Sequence, residues 1–281
     1  MRKTQFIQDE EMELDNEHEL DIKPQKEDYI NFIPKSSNSH KIKASYDINQ
    51  ITKEEKSALL KIKINPNIPN EFALINSNFQ ILYMSITNDD VYHVCSFKEN
   101  TGRINDISFF KNNESPFNRA FISGSTDGTI KIWDSRSSHS VKTIETNRSK
   151  VFTLDTNSDV LVAGVDREIV VWDLKMMKQM HRCSFAHSDE VTAVKLRNNY
   201  LMTGGQDNII NIFDLNTGLE MDSVVSTANI NQPLAALDFI DDELNYIHAI
   251  TNVYTLNIVN MYSCVSSFEF DAKNVRIIFK F

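Results

Sequence analysis

Three segments of this chain repeat one pattern in nearly the same residues. They are Ile122-Ser-Gly-Ser-Thr-Asp-Gly-Thr-Ile-Lys-Ile-Trp-Asp134, Leu161-Val-Ala-Gly-Val-Asp-Arg-Glu-Ile-Val-Val-Trp-Asp173 and Met202-Thr-Gly-Gly-Gln-Asp-Asn-Ile-Ile-Asn-Ile-Phe-Asp214. Each sets an Asp (Asp127, Asp166, Asp207) in a tight turn, an aromatic (Trp133, Trp172, Phe213) six residues later, and a second Asp directly after it. The aromatics are spaced by 39 (172 − 133) and 41 (213 − 172) residues. A period of about 40 residues matches one four-stranded blade of a β-propeller.

Short apolar runs separated by turn residues surround these segments, as all-β structure requires. The clearest are Ile104–Phe109, Ala120–Ser123, Thr129–Trp133, Val151–Leu154, Val160–Ala163, Glu168–Trp172, Val191–Leu196, Leu201–Thr203 and Ile209–Phe213. Most are rich in Val, Ile, Phe or Thr, which suit a pleated, half-buried surface. Upstream, Leu59–Ile64, Phe72–Ile75, Ile81–Met84 and Val91–Phe97 outline an earlier blade. Downstream, Leu234–Ile240, Tyr246–Ile250, Tyr254–Val259 and Val265–Phe270 outline a later one, and Val275–Phe281 reads as one more strand. The expected fold class is all-β, a propeller of about five four-stranded blades plus an extra strand.

The repeated segments resemble the WD-repeat family of β-propellers. Within that family, the wording of Gly124–Asp134, and of His187–Thr192 with Asn211–Leu215, points toward one particular subfamily. The resemblance covers roughly residues 58–281 and implies a buried tetrad per blade: His, Ser or Thr, turn Asp and Trp. Such a chain of donors would satisfy a buried carboxylate. Ser123, Asp127 and Trp133 fit it, with Asn100 in the His position. His187, Thr203 and Asp207 fit it with Phe213 in the Trp position, while Val162 and Asn147 stand where Asp166 would have partners. The family usually closes with seven blades, and closure is what protects blade edges. Five blades therefore suggest a fragment of a longer propeller; a partner supplying the rest, or a smaller closed ring, are the alternatives.

Residues 1–55 stand apart from the propeller region at 56–281. Asp9, Glu10, Glu11, Glu13, Asp15, Glu17, Glu19 and Asp21 form an acidic run, followed by polar stretches too poor in apolar surface to offset ordering entropy. We expect a disordered tail. Net charge over the 281 residues is −10, which disfavours direct nucleic-acid or membrane binding. The three cysteines, Cys95, Cys183 and Cys264, are widely separated and odd in number, and the first residues hold no apolar leader. The expected location is cytoplasmic, nuclear or both.

Chemistry-bearing patterns are sparse. His181, Cys183 and His187 lack a fourth ligand for zinc, and His187 already has a role in its blade. Asp241, Asp242 and Glu243 read as a solvated turn. With seven Gly in all there is no phosphate loop, nor any GxSxG or HExxH motif. The inner-strand positions Ile104, Ile107, Val151, Leu154, Val191 and Val194 are mostly apolar, which argues against a catalytic channel. We therefore expect no catalytic residue, no metal and no cofactor.

What remains is recognition. The resemblance implies docking on the face that carries the second-to-third-strand turns and the loops between blades. That nominates Thr126, Val165 and Gln206 beside the turn aspartates. The loops add Arg103, Arg148, Lys150, Arg167, Ser188 and Asp189. The expected function is a non-catalytic scaffold or adaptor for a protein partner. A substrate adaptor in ubiquitin ligation or ribosome assembly, or a hydrolase built on a propeller frame, are the alternatives; an ordered polar cluster in the central channel would favour the last.

Overall fold

A computed structural model describes residues 57–87, 90–111, 117–137, 139–240, 245–262 and, as backbone only, 266–271. The expected tail at 1–55, the Asp241–Glu243 cluster and the strand at Val275–Phe281 lie outside the described residues. Five four-stranded antiparallel sheets follow one another, each a meander whose strands pair in sequence order. Blade 1 holds β1 (Leu59–Ile64), β2 (Glu71–Asn76), β3 (Ile81–Thr87) and β4 (Asp90–Phe97). Blade 2 holds β5 (Ile104–Phe109), β6 (Ala120–Ser125), β7 (Thr129–Asp134) and β8 (Lys142–Glu145). Blade 3 holds β9 (Val151–Thr156), β10 (Val160–Val165), β11 (Glu168–Asp173) and β12 (Lys178–Cys183). Blade 4 holds β13 (Val191–Arg197), β14 (Tyr200–Gly205), β15 (Ile209–Asp214) and β16 (Val224–Asn229). Blade 5 holds β17 (Leu234–Phe239), β18 (Tyr246–Thr251), β19 (Thr255–Asn260) and β20 (Ser266–Asp271).

The core lies between blades. A single sheet must bury both faces against something, and here each neighbour supplies the cover. Between blades 1 and 2 the filling is aromatic: Phe97 meets Trp133 at 4.9 Å between ring centroids, and Phe121 meets Phe97 at 5.4 Å and Phe109 at 5.5 Å. Phe121 is fully buried, worth about 1.5–3 kcal/mol for a side chain of that size. Between blades 2 and 3, Ile122, Ile130, Val151, Leu154 and Trp172 interlock. Val162, Ile169, Val194, Leu201 and Phe213 fill the next interface. Met202, Ile210, Leu234, Leu237 and Ile247 fill the one after.

Each first strand carries a bulge after its opening residue, at Leu59, Ile104, Val151, Val191 and Leu234. The bulge is a blade feature, because it recurs at the same place five times. It also sets a common register. Ile62, Ile107, Leu154, Val194 and Leu237 are equivalent, as are Lys63, Ser108, Asp155, Lys195 and Asp238. The apolar position is covered in four blades, but Ile62 is 52% exposed and its neighbour Ile64 67% exposed. The side of β1 that would meet a preceding blade is open to solvent.

The inner strands are also tied by polar straps. Asp106 accepts Leu154 N–H at 3.2 Å and the Thr153 hydroxyl at 3.1 Å, and meets Lys61 at 2.6 Å. Asp155 accepts the Ser108 hydroxyl at 2.8 Å and Leu196 N–H at 2.9 Å. The expectation of a mostly apolar inner surface is therefore incomplete. Ile107, Leu154 and Val194 pack sideways between blades, while the residues next to them carry charge along the axis.

Asp106→Ala should destabilise the domain by on the order of 3 kcal/mol, because it strands buried donors and a lysine. Burial alone would raise the pKa of this carboxyl, but Lys61, Lys63 and the Leu154 N–H outweigh it and hold it below the ordinary 3.8. Its stabilisation is thus present above that pH and lost as pH falls through the lower folded value. Urea denaturation as a function of pH should show a shallower acid limb for Asp106→Asn; an unchanged limb contradicts the strap.

Candidate functional site

One face of the blades is built by a repeated hydrogen bond. The turn between second and third strands donates an N–H to the loop that precedes the blade. The pairs are Ser77 to Ala58 at 2.8 Å, and Thr126 to Arg103, Asp166 to Lys150, Gln206 to Glu190 and Asn252 to Pro233, all at 2.9 Å. Turns and loops are thereby fixed side by side. Gly128, at φ +82, lies so close to the next loop that a Cβ would sit 2.7 Å from the Arg148 Cα. That turn needs glycine for both reasons.

The same bonds correct the alignment of blade 3. Asp166 donates where Thr126 and Gln206 donate, so its turn is one residue shorter than in blades 2 and 4. Val165 pairs with Val151 as Ser125 pairs with Ile104. Val165 is thus the last strand residue, 1% exposed, and it packs in the core rather than offering itself to a partner. By the same shift Ala163, not Val162, is equivalent to Ser123 and Thr203. Asp166 accepts only Lys150 N–H, at 3.2 Å, among the described hydrogen bonds.

Each blade satisfies its turn differently. In blade 4, His187 bridges Asp207 at 3.1 Å through Nδ1 and Thr203 Oγ1 at 2.8 Å through Nε2. Ser188 and Ile209 donate their N–H groups to the same carboxylate, and the chain of bonds stops at the buried ring of Phe213. In blade 2, Trp133 Nε1 donates to Ser123 Oγ at 2.8 Å. Asp127 is held from the other side, by Thr101, Gly102 and Thr129. Burial would raise the Asp127 pKa, but these donors win and keep it low. Asn100 is buried between the two halves, with neither side-chain atom bonded. In blade 3, Trp172 is buried against Ile122 and Val151 with no such network.

On this face Arg103, Arg148, Lys150, Arg167, Ser188 and Asp189 are exposed, and Thr126 and Gln206 are half-buried. Gln206 accepts a bond from Asn252 at 3.1 Å, from the next blade. Among the described residues none of the cations Arg103, Arg148, Lys150 and Arg167 makes an ion pair. Arg167 also lines a cavity of about 300 Å³ with Asp166, Glu168, Ser184 and His187.

A second polar region lies at the opposite end of the inner strands. A cavity of about 230 Å³ there is lined by residues of all five blades, among them Lys63, Lys111, Asp155, Lys195, Arg197 and Asp238. These residues were invisible to a motif search. Aligning inner strands on their bulge would have found the ring Lys63, Ser108, Asp155, Lys195 and Asp238. The ring is a polar cluster in the channel, so its capacity for catalysis matters. Asp238 is paired with Lys195 at 3.2 Å; burial would raise its pKa, but Lys195 and the Phe239 N–H hold it low. Ser108 commits its proton to Asp155. Both carboxylates of the ring, Asp155 and Asp238, are thus engaged by neighbouring donors. Among the described residues no group of three His, Cys, Asp or Glu is placed to hold a metal; His181 is exposed and Cys183 and His187 are buried in different contacts.

Repeated four-stranded blades, shared inner-strand bulges and the turn-Asp network define a β-propeller, and WD40 repeats are found in it. The family model "WD domain, G-beta repeat" matches residues 91–134 and 178–214, which run from β4 through β7 and from β12 through β15. The WD repeat-containing protein 89 homolog of Dictyostelium discoideum is 25% identical over 201 residues, covering 70% of this chain and 53% of that protein. The WD repeat-containing protein GTS1 of Arabidopsis thaliana is 28% identical over 198 residues, covering 66% of this chain and 48% of that protein. The chain thus spans about half the length of these relatives. A chain in the crystal structure of the mitotic checkpoint complex matches with a TM-score of 0.67 at 19% identity, over 80% of this chain and 70% of that one; this likeness concerns the fold. WD40-repeat propellers are typically protein-interaction scaffolds and generally non-catalytic. Among the described residues no helix is long and apolar enough to cross a membrane.

Asp207→Ala should cost about 2–3 kcal/mol, because His187 and two N–H groups lose their acceptor. Asp166→Ala should cost under about 1 kcal/mol, since one backbone N–H at the surface can turn to water. Chemical denaturation of the two variants side by side checks this; equal losses would mean that the turn aspartates are interchangeable and the networks irrelevant.

Proposed function

We propose that this chain is a non-catalytic adaptor that holds a protein partner on its loop face. An acidic, extended segment of that partner lies across Arg103, Arg148, Lys150 and Arg167. The observation that carries this reading is the exposure of four cations on adjoining loops of blades 2 and 3, with no ion pair among the described residues, in a chain of net charge −10. The repeated turn-to-loop hydrogen bonds pre-order this surface, which lowers the entropic cost of docking. Complementary charge would set partner choice and association rate more than raw affinity. The free thiols support an intracellular setting, cytoplasmic or nuclear: burial pushes Cys95 up to about 11 and raises Cys183, so neither is a reactive thiolate at neutral pH.

The test is affinity purification with quantitative mass spectrometry, comparing the natural chain with Arg103→Glu, Arg148→Glu and Arg167→Glu combined. Proteins lost with the reversed face should be acidic, and their binding to the natural chain should weaken as salt rises from 50 to 300 mM, values of the order at which exposed ion pairs become screened. Partners retained equally by both chains would refute docking on this face.

A further inference from the structure

We propose that the loop face carries two aromatic anchors, Phe79 and Tyr254, and that the acidic segment docked there bears apolar side chains which they hold; this rests on the docking face described above and extends it to blades 1 and 5. The turn-to-loop hydrogen bonds make Ser77, Thr126, Gln206 and Asn252 equivalent. Two residues further on come Phe79, Gly128, Asn208 and Tyr254, all left-handed, with φ of +61, +82, +68 and +68. The shorter turn of blade 3 has its left-handed residue at Asp166, φ +51. Four turns thus require the same conformation at the same place. Glycine adopts it freely and asparagine tolerates it. An aromatic does not, because its Cβ crowds the following carbonyl oxygen, and a bulky side chain in this region is an outlier. Blades 1 and 5 nevertheless place one there.

Packing does not offset that strain. Tyr254 is 65% exposed, its neighbour Val253 44% and Phe79 38%. Strained backbone that also holds apolar surface in water opposes folding twice, and such places cluster where a ligand is held. An aromatic ring on a pre-ordered turn is the kind of group that dominates interface energy, because it buries a large area for few lost rotamers. Tyr254 adds a hydroxyl that can donate to a carboxylate. The two rings flank the basic loops. A turn at this position abuts the loop before the next blade, as the approach of Gly128 to Arg148 shows. By the same repeat, Phe79 lies against the loop that carries Arg103. At the other end Asn252, in the turn of Tyr254, bonds Gln206 of blade 4. The order across the face is therefore a ring, the cations of blades 2 and 3, and a second ring. An acidic run with an apolar residue at each end matches that order.

The test is fluorescence polarisation of two labelled synthetic peptides titrated with the full chain. One is an alternating Asp-Glu run ending in Phe on both sides; the other is the same run ending in Ser. The Phe-ended peptide should bind roughly tenfold more tightly, a modest share of what burying aromatic surface gives. Phe79→Asn combined with Tyr254→Asn should abolish that difference. The melting midpoint of this variant should hold or rise, because asparagine suits the left-handed turn, as Asn208 does in blade 4. Arg103→Glu should weaken both peptides alike. Equal binding of the two peptides, or a Phe preference that survives the double substitution, overturns the anchors and leaves acidic docking standing. No binding of either peptide to the natural chain overturns acidic docking and the anchors with it. If the double variant melts early, Tyr254→Asn alone, at the more exposed ring, is measured in its place; it should lose part of the preference, and an undiminished preference again overturns the anchors.

Discussion

Asp106 and Asp155 hold the inner strands in place, and everything outward depends on where those strands sit. Each carboxylate takes a backbone N–H from the next blade, Leu154 for one and Leu196 for the other. A strand can slide along its neighbour by two residues and keep its apolar face inward. A carboxylate aimed at one particular N–H removes that freedom. The Thr153 hydroxyl extends the strap, donating to Asp106 and accepting Val194 N–H at 3.2 Å. Between blades 4 and 5 the device changes to Thr192, which bonds the Leu234 carbonyl at 2.8 Å, and to the Lys195–Asp238 pair. Blade position is thus set near the axis by directional bonds, while the apolar interfaces supply most of the favourable free energy.

With the inner strands fixed, the turn networks have room to vary. Blade 4 buries a full Asp–His–Thr chain, blade 2 splits it around an unbonded Asn100, and blade 3 drops it for Ala163 beside Trp172. Blade 1 goes further: Met84 and Leu74 stand where blade 2 has Trp133 and Ser123, as its strand pairing shows. A buried polar network is worth keeping only when every member is satisfied. Replacing it whole with apolar side chains costs little, whereas Asn100 marks a place where replacement is incomplete.

The sequence made much of this legible, and the limits have physical causes. Second and third strands were readable because they are buried on both faces and carry the turn Asp and aromatic at fixed spacing. Fourth strands of blades 2–4 were not: β8 (Lys142–Glu145), β12 (Lys178–Cys183) and β16 (Val224–Asn229) are outermost and mostly exposed, so solvent imposes no apolar pattern on them. The blade 3 turn misled because its Asp-to-Trp distance equals that of blade 2. A one-residue deletion before the Asp is invisible to that spacing, and Val165 was placed in the turn as a result. The channel ring was hidden because its members, Lys63, Ser108, Asp155, Lys195 and Asp238, share a position rather than a residue type.

The two ends of the inner strands carry opposite solutions to one electrostatic problem. The chain as a whole is acidic, yet both ends of the channel region collect cations. At the loop end the cations are exposed and fully hydrated, so they cost nothing unbound and gain mainly steering and specificity when an acidic partner approaches. At the far end the cations are turned inward onto carboxylates: Lys61 meets Asp106, Lys111 meets Asp155 and Lys195 meets Asp238, and Lys63 helps to hold the buried Asp106 carboxyl low. The first arrangement favours a large partner that samples and leaves. The second ties blade to blade, because Lys61 and Lys63 sit on β1 and Asp106 on β5, while Lys195 sits on β13 and Asp238 on β17. The Lys111 bond to the Leu196 carbonyl likewise couples blade 2 to blade 4.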